Sequence, residues 1–252
     1  MVVIMFFRAC AAWIFIAVYW IVVLIIHLAT LRGIPDEWLA PMIRFWARTV
    51  LWIVGIKLES VNESTLQGRA PRVVIVNHQS ALELVWGAAI IPPGFLAIGK
   101  KEIIYVPVMN LIWWGLRLIR IDRSNHIKAV AALSGVAQEI ARNKRSLFVA
   151  PEGTRSRNGE IGPFKKGAFR IALEAGASIH PVVVSGAYDL LPRGRFVPRK
   201  GTLRIRFLPP VSPQSSRSPD GSVSSEFIEK VRSDMIACEK ELRSRTDRAS
   251  FS

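Results

Sequence analysis

His78 is the side chain with the clearest capacity for proton transfer. It lies in Asn77-His78-Gln79-Ser80-Ala81-Leu82-Glu83, directly after the apolar run Val73-Val74-Ile75-Val76. Consecutive β-branched residues predict a buried strand, and a helix is expected over residues 80–90. The imidazole then sits at the lip of a sheet. Glu83, five positions on, is about one helical turn away, where its carboxylate can accept the Nδ1 proton. That fixes the tautomer and leaves Nε2 as a base. A lone histidine at a strand end is more often structural, so the pair alone does not establish chemistry.

A second strand-end turn carries the complementary charges. Leu147-Phe148-Val149 runs into Ala150-Pro151-Glu152-Gly153-Thr154-Arg155-Ser156, which offers a carboxylate, a glycine, hydroxyls and a guanidinium. Arginine suits bidentate phosphate binding, although a solvated β-turn has the same composition. Pro163-Phe164-Lys165-Lys166-Gly167 follows at an expected helix start, where backbone N–H groups also favour anions. Gly99-Lys100-Lys101-Glu102 and Leu118-Ile119-Arg120-Ile121-Asp122-Arg123 form a third group. Each basic loop is generic by itself; three of them beside one histidine make a coherent anion site.

The elements that must position these residues alternate. Strands are expected at 72–76, 95–98, 118–121, 146–149, 180–184 and 203–207. Helices are expected at 80–90, 126–143 and 167–175, the last closed by Gly176. Such alternation predicts an α/β domain whose mostly parallel sheet is covered by helices. In that architecture chemistry gathers at the carboxyl ends of the strands. The domain is expected to occupy residues 57–210. A Ser- and Pro-rich stretch, 211–225, reads as a linker to a charged amphipathic helix at 226–246, so that 211–252 forms a C-terminal appendage.

Half of the 252 residues are hydrophobic, and the excess is concentrated at the N-terminus: residues 1–31 hold a single Lys, Arg, Asp or Glu, Arg8. The uncharged run 9–29 has the length of a bilayer span, ~20 residues. It is too long, and its leading segment too weakly basic, for a signal peptide. Residues 36–56 combine Trp38, Phe45, Trp46 and other apolar residues with Arg44 and Arg48, the pattern of a helix lying in the headgroup region. A core helix packed on the domain fits the same pattern. Residues 1–56 are thus expected to form a membrane-anchoring helical pair, with the active site on the cytoplasmic side because Arg32, Arg44, Arg48 and Lys57 follow the first helix.

A net charge of +15 implies an anionic partner: nucleic acid, an anionic membrane surface, or a phosphorylated or CoA-type substrate, with the apolar N-terminus favouring the membrane. Two cysteines, Cys10 and Cys238, and four scattered histidines give neither a disulfide framework nor a zinc site. The cations Arg193, Arg195, Arg199, Lys200, Arg204 and Arg206 occur with no intervening acid. They would also suit a membrane-tethered nucleic-acid-binding protein. No recognition helix, zinc finger or RNA-binding aromatic motif accompanies them, and no nucleic-acid partner is expected.

Taken in order, the motifs resemble those of the glycerolipid acyltransferases of the 1-acylglycerol-3-phosphate acyltransferase family. Asn77 to Glu83 is similar to the family's Asn-His-x-x-x-x-Asp. Lys100 to Arg123 resembles its Lys-Lys-Glu stretch ending in Ile-Asp-Arg. Ala150 to Arg155 resembles Phe-Pro-Glu-Gly-Thr-Arg, and Ile179 to Val184 its proline-containing strand. The resemblance covers roughly residues 70–190. Glu83 stands where most members have Asp, which adds a methylene of reach, and Ala150 replaces a Phe.

The resemblance implies transfer of a fatty acyl group from acyl-CoA or acyl-carrier protein, as co-substrate, to the 2-hydroxyl of a membrane lipid acceptor, 1-acylglycerol 3-phosphate. The product would be phosphatidic acid, formed with no cofactor or metal. His78 and Glu83 would be catalytic. Lys100, Arg123 and Arg155 would hold the acceptor phosphate, with Glu152, Gly153 and Thr154 in the binding turn. Another lysophospholipid or a lyso-aminolipid is the alternative acceptor. No Gly-x-Ser-x-Gly elbow is present to suggest an acyl-enzyme.

Overall fold

The computed structural model describes the chain apart from residues 1, 30–33, 35, 67–70, 91, 93–94, 101–117, 122–125, 144, 219 and 251–252. The elements, in chain order, are α1 (Val2–Ala29), α2 (Asp36–Val54), β1 (Ile56–Val61), β2 (Arg72–Val76), α3 (Glu83–Ile90), β3 (Phe95–Lys100) and β4 (Leu118–Ile121). There follow α4 (His126–Asn143), β5 (Ser146–Val149), α5 (Gly167–Glu174), β6 (Ser178–Ser185), α6 (Ala187–Leu190), β7 (Gly201–Phe207) and α7 (Ser225–Ser250).

The strands form one sheet in the order β1-β7-β6-β2-β5-β3-β4. Every neighbouring pair is parallel except β6 and β7. The α/β class and the mostly parallel sheet agree with the sequence. Two features differ. β1 is a strand where none is expected, beginning at the last residue of the 36–56 stretch, and β7 returns antiparallel to β6. β1 follows α2 with only Gly55 between them. Its Ile-Lys-Leu-Glu-Ser-Val alternates buried or half-buried with exposed positions, a short edge-strand signal hidden behind a long apolar helix.

Strand pleating divides the interior. Val74, Val76, Val182, Val184, Leu203 and Ile205 face a core shared with α1, α2 and α3. Val73, Ile75, Leu147, Ile179 and Val183 face the opposite core, built with α4, α5 and α7. Each such buried aliphatic side chain contributes ~1.5–3 kcal/mol. β2 is buried at every position, which explains its unbroken run of Val and Ile.

α2 serves two surfaces. Trp46, Ala47, Val50, Leu51 and Val54 are buried, and Trp46 meets Trp20 of α1 edge to face at 5.4 Å between centroids. On the outer side Trp38, Phe45 and Trp52 are 62%, 59% and 80% exposed. α1 likewise buries Ala12, Ile16, Trp20 and Val23 while exposing much of its remaining apolar surface. Among the described residues it is the one helix long and apolar enough to cross a membrane.

The Ser- and Pro-rich stretch is strapped to the domain. Val211 and Ile179 exchange two backbone hydrogen bonds of 2.8 and 2.9 Å. Gln214 donates to the Leu173 carbonyl, and Val223 is buried. α7 then packs Val231, Met235 and Leu242 into the second core.

Candidate active site

β2 ends at a turn held by side chains. Asn77, fully buried, donates to the Val184 carbonyl and accepts the Val184 N–H, both at 2.8 Å. Its amide stands in for one more rung of the β2–β6 ladder and lets the main chain leave the sheet. His78, next in line, is fixed from two directions. Its N–H donates to Glu152 Oε1 at 3.0 Å, and its carbonyl accepts the Ser156 N–H at 2.7 Å. The turn after β5 is therefore bonded to the turn after β2. The ends of β2, β5, β3 and β4 lie on one edge because these strands run parallel.

The His78 Nδ1 lies 3.2 Å from Glu83 Oε2. A carboxylate only accepts, so Nδ1 donates and Nε2 keeps its lone pair. Glu83 is 5% exposed. Its oxygens also accept from the Gln79 N–H at 3.0 Å and the Ser80 N–H at 2.8 and 3.0 Å, while Ser80 Oγ accepts the Leu82 N–H. This is a capping arrangement at the first turn of α3. One carboxylate thus caps the helix, closes the turn and orients the imidazole. The His78 side chain is 30% exposed, so the base is reachable from outside.

The Ala150–Arg155 turn is equally constrained. Gly153 has φ of +70°, the left-handed conformation that favours glycine, and a Cβ there would also crowd the Lys165 side chain, 3.1 Å from its Nζ. Lys165 binds back through its N–H to the Pro151 carbonyl. Thr154 is exposed and Arg155 half-buried. Lys100 is the last residue of β3, in register with Ile121 at the end of β4. Arg123 lies outside the described residues. The structure therefore brings His78, Glu83, Glu152, Gly153, Thr154 and Arg155 to one edge.

A family model described as Acyltransferase matches residues 57–185, the span from β1 to the end of β6. This chain belongs to the acyltransferase family. Among its relatives, the 1-acyl-sn-glycerol-3-phosphate acyltransferase of Saccharomyces cerevisiae is 35% identical over 195 residues, 75% of this chain and 62% of that protein. The human 1-acyl-sn-glycerol-3-phosphate acyltransferase alpha is 30% identical over 89% of this chain and 78% of its own length. The chain thus spans a little under two thirds of the yeast relative. The crystal structure of the 1-acyl-sn-glycerophosphate acyltransferase PlsC from Thermotoga maritima has the same fold. It superposes with a TM-score of 0.79 at 21% identity, covering 96% of this chain and 95% of that one.

The acyltransferase holds its motifs together with residues that pattern reading passes over. Gln79, 1% exposed, donates from Nε2 to the Gly159 carbonyl at 2.7 Å. Arg232 of α7 donates to the Gly162 and Ile161 carbonyls at 2.8 and 3.1 Å. The loop between the Glu152 turn and α5 is thereby clamped from both sides. Gln79 sits inside the histidine motif and could have been flagged there; Arg232 has no local signal. His180 belongs to the interior. It is buried in β6, 2.9 Å from Ser178 Oγ, and burial, helped by Arg72, lowers it to about 4.

Among the described residues Glu152 is the carboxyl that burial raises most. Burial pushes it from 4.5 up to about 7, against the opposing pull of the His78 N–H. Its Oε2 is buried without a partner among the described residues. The folded state holds a proton that the unfolded chain releases. This contribution to stability is therefore complete below pH 4.5 and lost as pH rises through about 7. Glu152→Gln keeps an acceptor for the His78 N–H and cannot ionise. It should flatten the decline in melting temperature across that window. Glu152→Ala, which orphans the N–H, should cost ~1–3 kcal/mol. A parallel decline in wild type and Glu152→Gln would show that another group sets the pH dependence.

Proposed function

We propose that this acyltransferase moves a fatty acyl group from an acyl thioester, acyl-CoA or acyl-carrier protein, to the 2-hydroxyl of 1-acylglycerol 3-phosphate, giving phosphatidic acid and the free thiol. The observation that carries this reading is the Glu83–His78 pair bonded directly to the Arg155-bearing turn. A base and a cation suited to phosphate are thereby carried on one edge of the sheet. The names of the yeast and human relatives support the same acceptor.

In this mechanism Nε2 of His78 takes the hydroxyl proton as the oxygen attacks the thioester carbonyl. Glu83 stabilises the imidazolium. The C–S bond breaks as the tetrahedral intermediate collapses, and the proton passes to the leaving thiolate. Arg155, with Lys100 and Arg123, binds the acceptor phosphate; Glu152 and Gly153 hold the turn. The test is a panel of lysolipids offered to the purified protein with each donor. Efficient acylation of 1-acylglycerol 3-phosphate, and poor use of acceptors lacking the phosphomonoester, is the expected result. A preference for a phosphate-free acceptor would move Arg155 out of this role.

The outer faces of α1 and α2 dock the enzyme on a bilayer in this reading, with the catalytic domain on the cytoplasmic side. Trp38, Phe45 and Trp52 recur every seven residues on the exposed side of α2, where aromatic rings suit the headgroup level. Replacing all three with Ser should leave turnover of detergent-dispersed acceptor near wild type and lower turnover of vesicle-borne acceptor severalfold. Equal rates on vesicles for variant and wild type would reduce α2 to a core helix.

A further inference from the structure

The proposed mechanism uses no residue of the basic stretch at 193–206, which the structure divides in two. Arg204 and Arg206 lie on β7 and pair with Glu59 and Glu241. Arg193, Arg195, Arg199 and Lys200 lie in the connection from α6 to β7, all exposed. Phe196, among them, is 74% exposed. No acid occurs between Asp189 and Asp220. An exposed aromatic residue with cations on both sides of it in the chain is the composition of a surface that meets anionic lipid.

The location of this loop decides between a solvated turn and a contact surface. At its far end the Gly201 N–H donates to the Gly55 carbonyl at 3.2 Å. A Cβ on Gly55 would lie 3.3 Å from Lys200 Cβ and 2.8 Å from the Arg8 guanidinium. The loop therefore adjoins the end of α2 where Trp52 is exposed, at the rim of the apolar face. At its near end Ser80 Oγ donates to the Leu191 carbonyl at 2.7 Å, inside the turn that carries His78. One connection thus joins the membrane-facing helices to the reacting turn.

We propose that the 192–200 connection is a second, electrostatic membrane contact. Phe196 enters the interface, and Arg193, Arg195, Arg199 and Lys200 bind anionic phospholipid headgroups beside the apolar face, setting the height of His78 over the bilayer. The inference rests on the docking of α1 and α2. Each cation near an anionic leaflet is worth about fivefold in binding, so four of them act strongly together.

The experiment places an environment-sensitive fluorophore at Phe196→Cys, Trp52→Cys or Lys230→Cys in a Cys10→Ala, Cys238→Ala background. The full chain is reconstituted into phosphatidylcholine vesicles carrying spin-labelled lipid, with or without phosphatidylglycerol. The label at 196 should be quenched on anionic vesicles and should lose most of that quenching when the four cations become Gln or phosphatidylglycerol is omitted. The label at 52 should be quenched throughout, and the label at 230 on α7 should stay in water. A label quenched at 52 but silent at 196 overturns the inference and leaves helical docking intact. Quenching at 196 that ignores both headgroup charge and the Gln substitutions overturns it as well, as does a response only to an added acidic carrier protein. Silence at both 52 and 196 removes the docking reading and this inference together.

Discussion

His78→Ala should lower turnover ~10²–10⁴-fold while leaving the protein folded. The fold should persist because both His78 backbone bonds, to Glu152 and from Ser156, do not involve the imidazole. Glu83 is not orphaned either, since the Gln79 and Ser80 N–H groups still satisfy it. Glu83→Gln should be nearly as damaging for a different reason. The amide oxygen would take the turn N–H groups, and its NH2 would donate to Nδ1. That reverses the tautomer and puts the proton on Nε2, where the base is needed. Glu83→Asp should keep a measurable part, because it restores the acceptor at shorter reach. Turnover and melting temperature measured together decide the matter. Near-wild-type turnover in His78→Ala removes this mechanism, and a collapsed melting transition would make His78 structural.

Arg155→Ala should weaken use of the acceptor roughly tenfold to a hundredfold in kcat/KM, the worth of a charge-assisted hydrogen bond to phosphate. Arg155 follows Thr154 in a turn whose next residue, Ser156, binds the His78 carbonyl. The cation and the base are therefore set by one rigid connection. Arg155→Lys should recover only part, since a point charge replaces a planar fork. The measurement varies lysolipid at saturating donor, then donor at saturating lysolipid. A rise confined to the donor constant would assign the turn to the thioester's phosphates.

The strand-end placement of His78 was legible because β2 is buried on both faces, and continuous Val and Ile mark that situation plainly. β5 was legible from its apolar run Leu147-Phe148-Val149 emptying into a turn with Pro151 and Gly153. β1 was not. Its Lys57 and Glu59 face solvent on an edge strand, and a six-residue alternation directly after a long apolar helix is too short to stand out. The return of β7 antiparallel to β6 was equally hidden, because strand direction depends on the path of the 186–200 connection and not on side-chain periodicity. Within the site, spacing pointed to the His78–Glu83 contact but could not show Glu83 capping its own turn. Nor could it show that Glu152 grips the His78 main chain across 74 residues of sequence. Such bonds use backbone atoms, which leave no trace in residue type. α2 read as either interfacial or core, and the structure makes it core on one side and apolar and exposed on the other.

The most direct test of the chemistry is rapid mixing of the purified enzyme with acyl-CoA, following thiol release and the fate of the acyl chain. Without acceptor, no burst of thiol and no acylated protein should form. Adding 1-acylglycerol 3-phosphate should release one thiol for each phosphatidic acid made, and His78→Ala should slow both in parallel by the same ~10²–10⁴-fold. A stoichiometric burst of thiol in the absence of acceptor, with the acyl group left on the protein, would contradict direct transfer by His78.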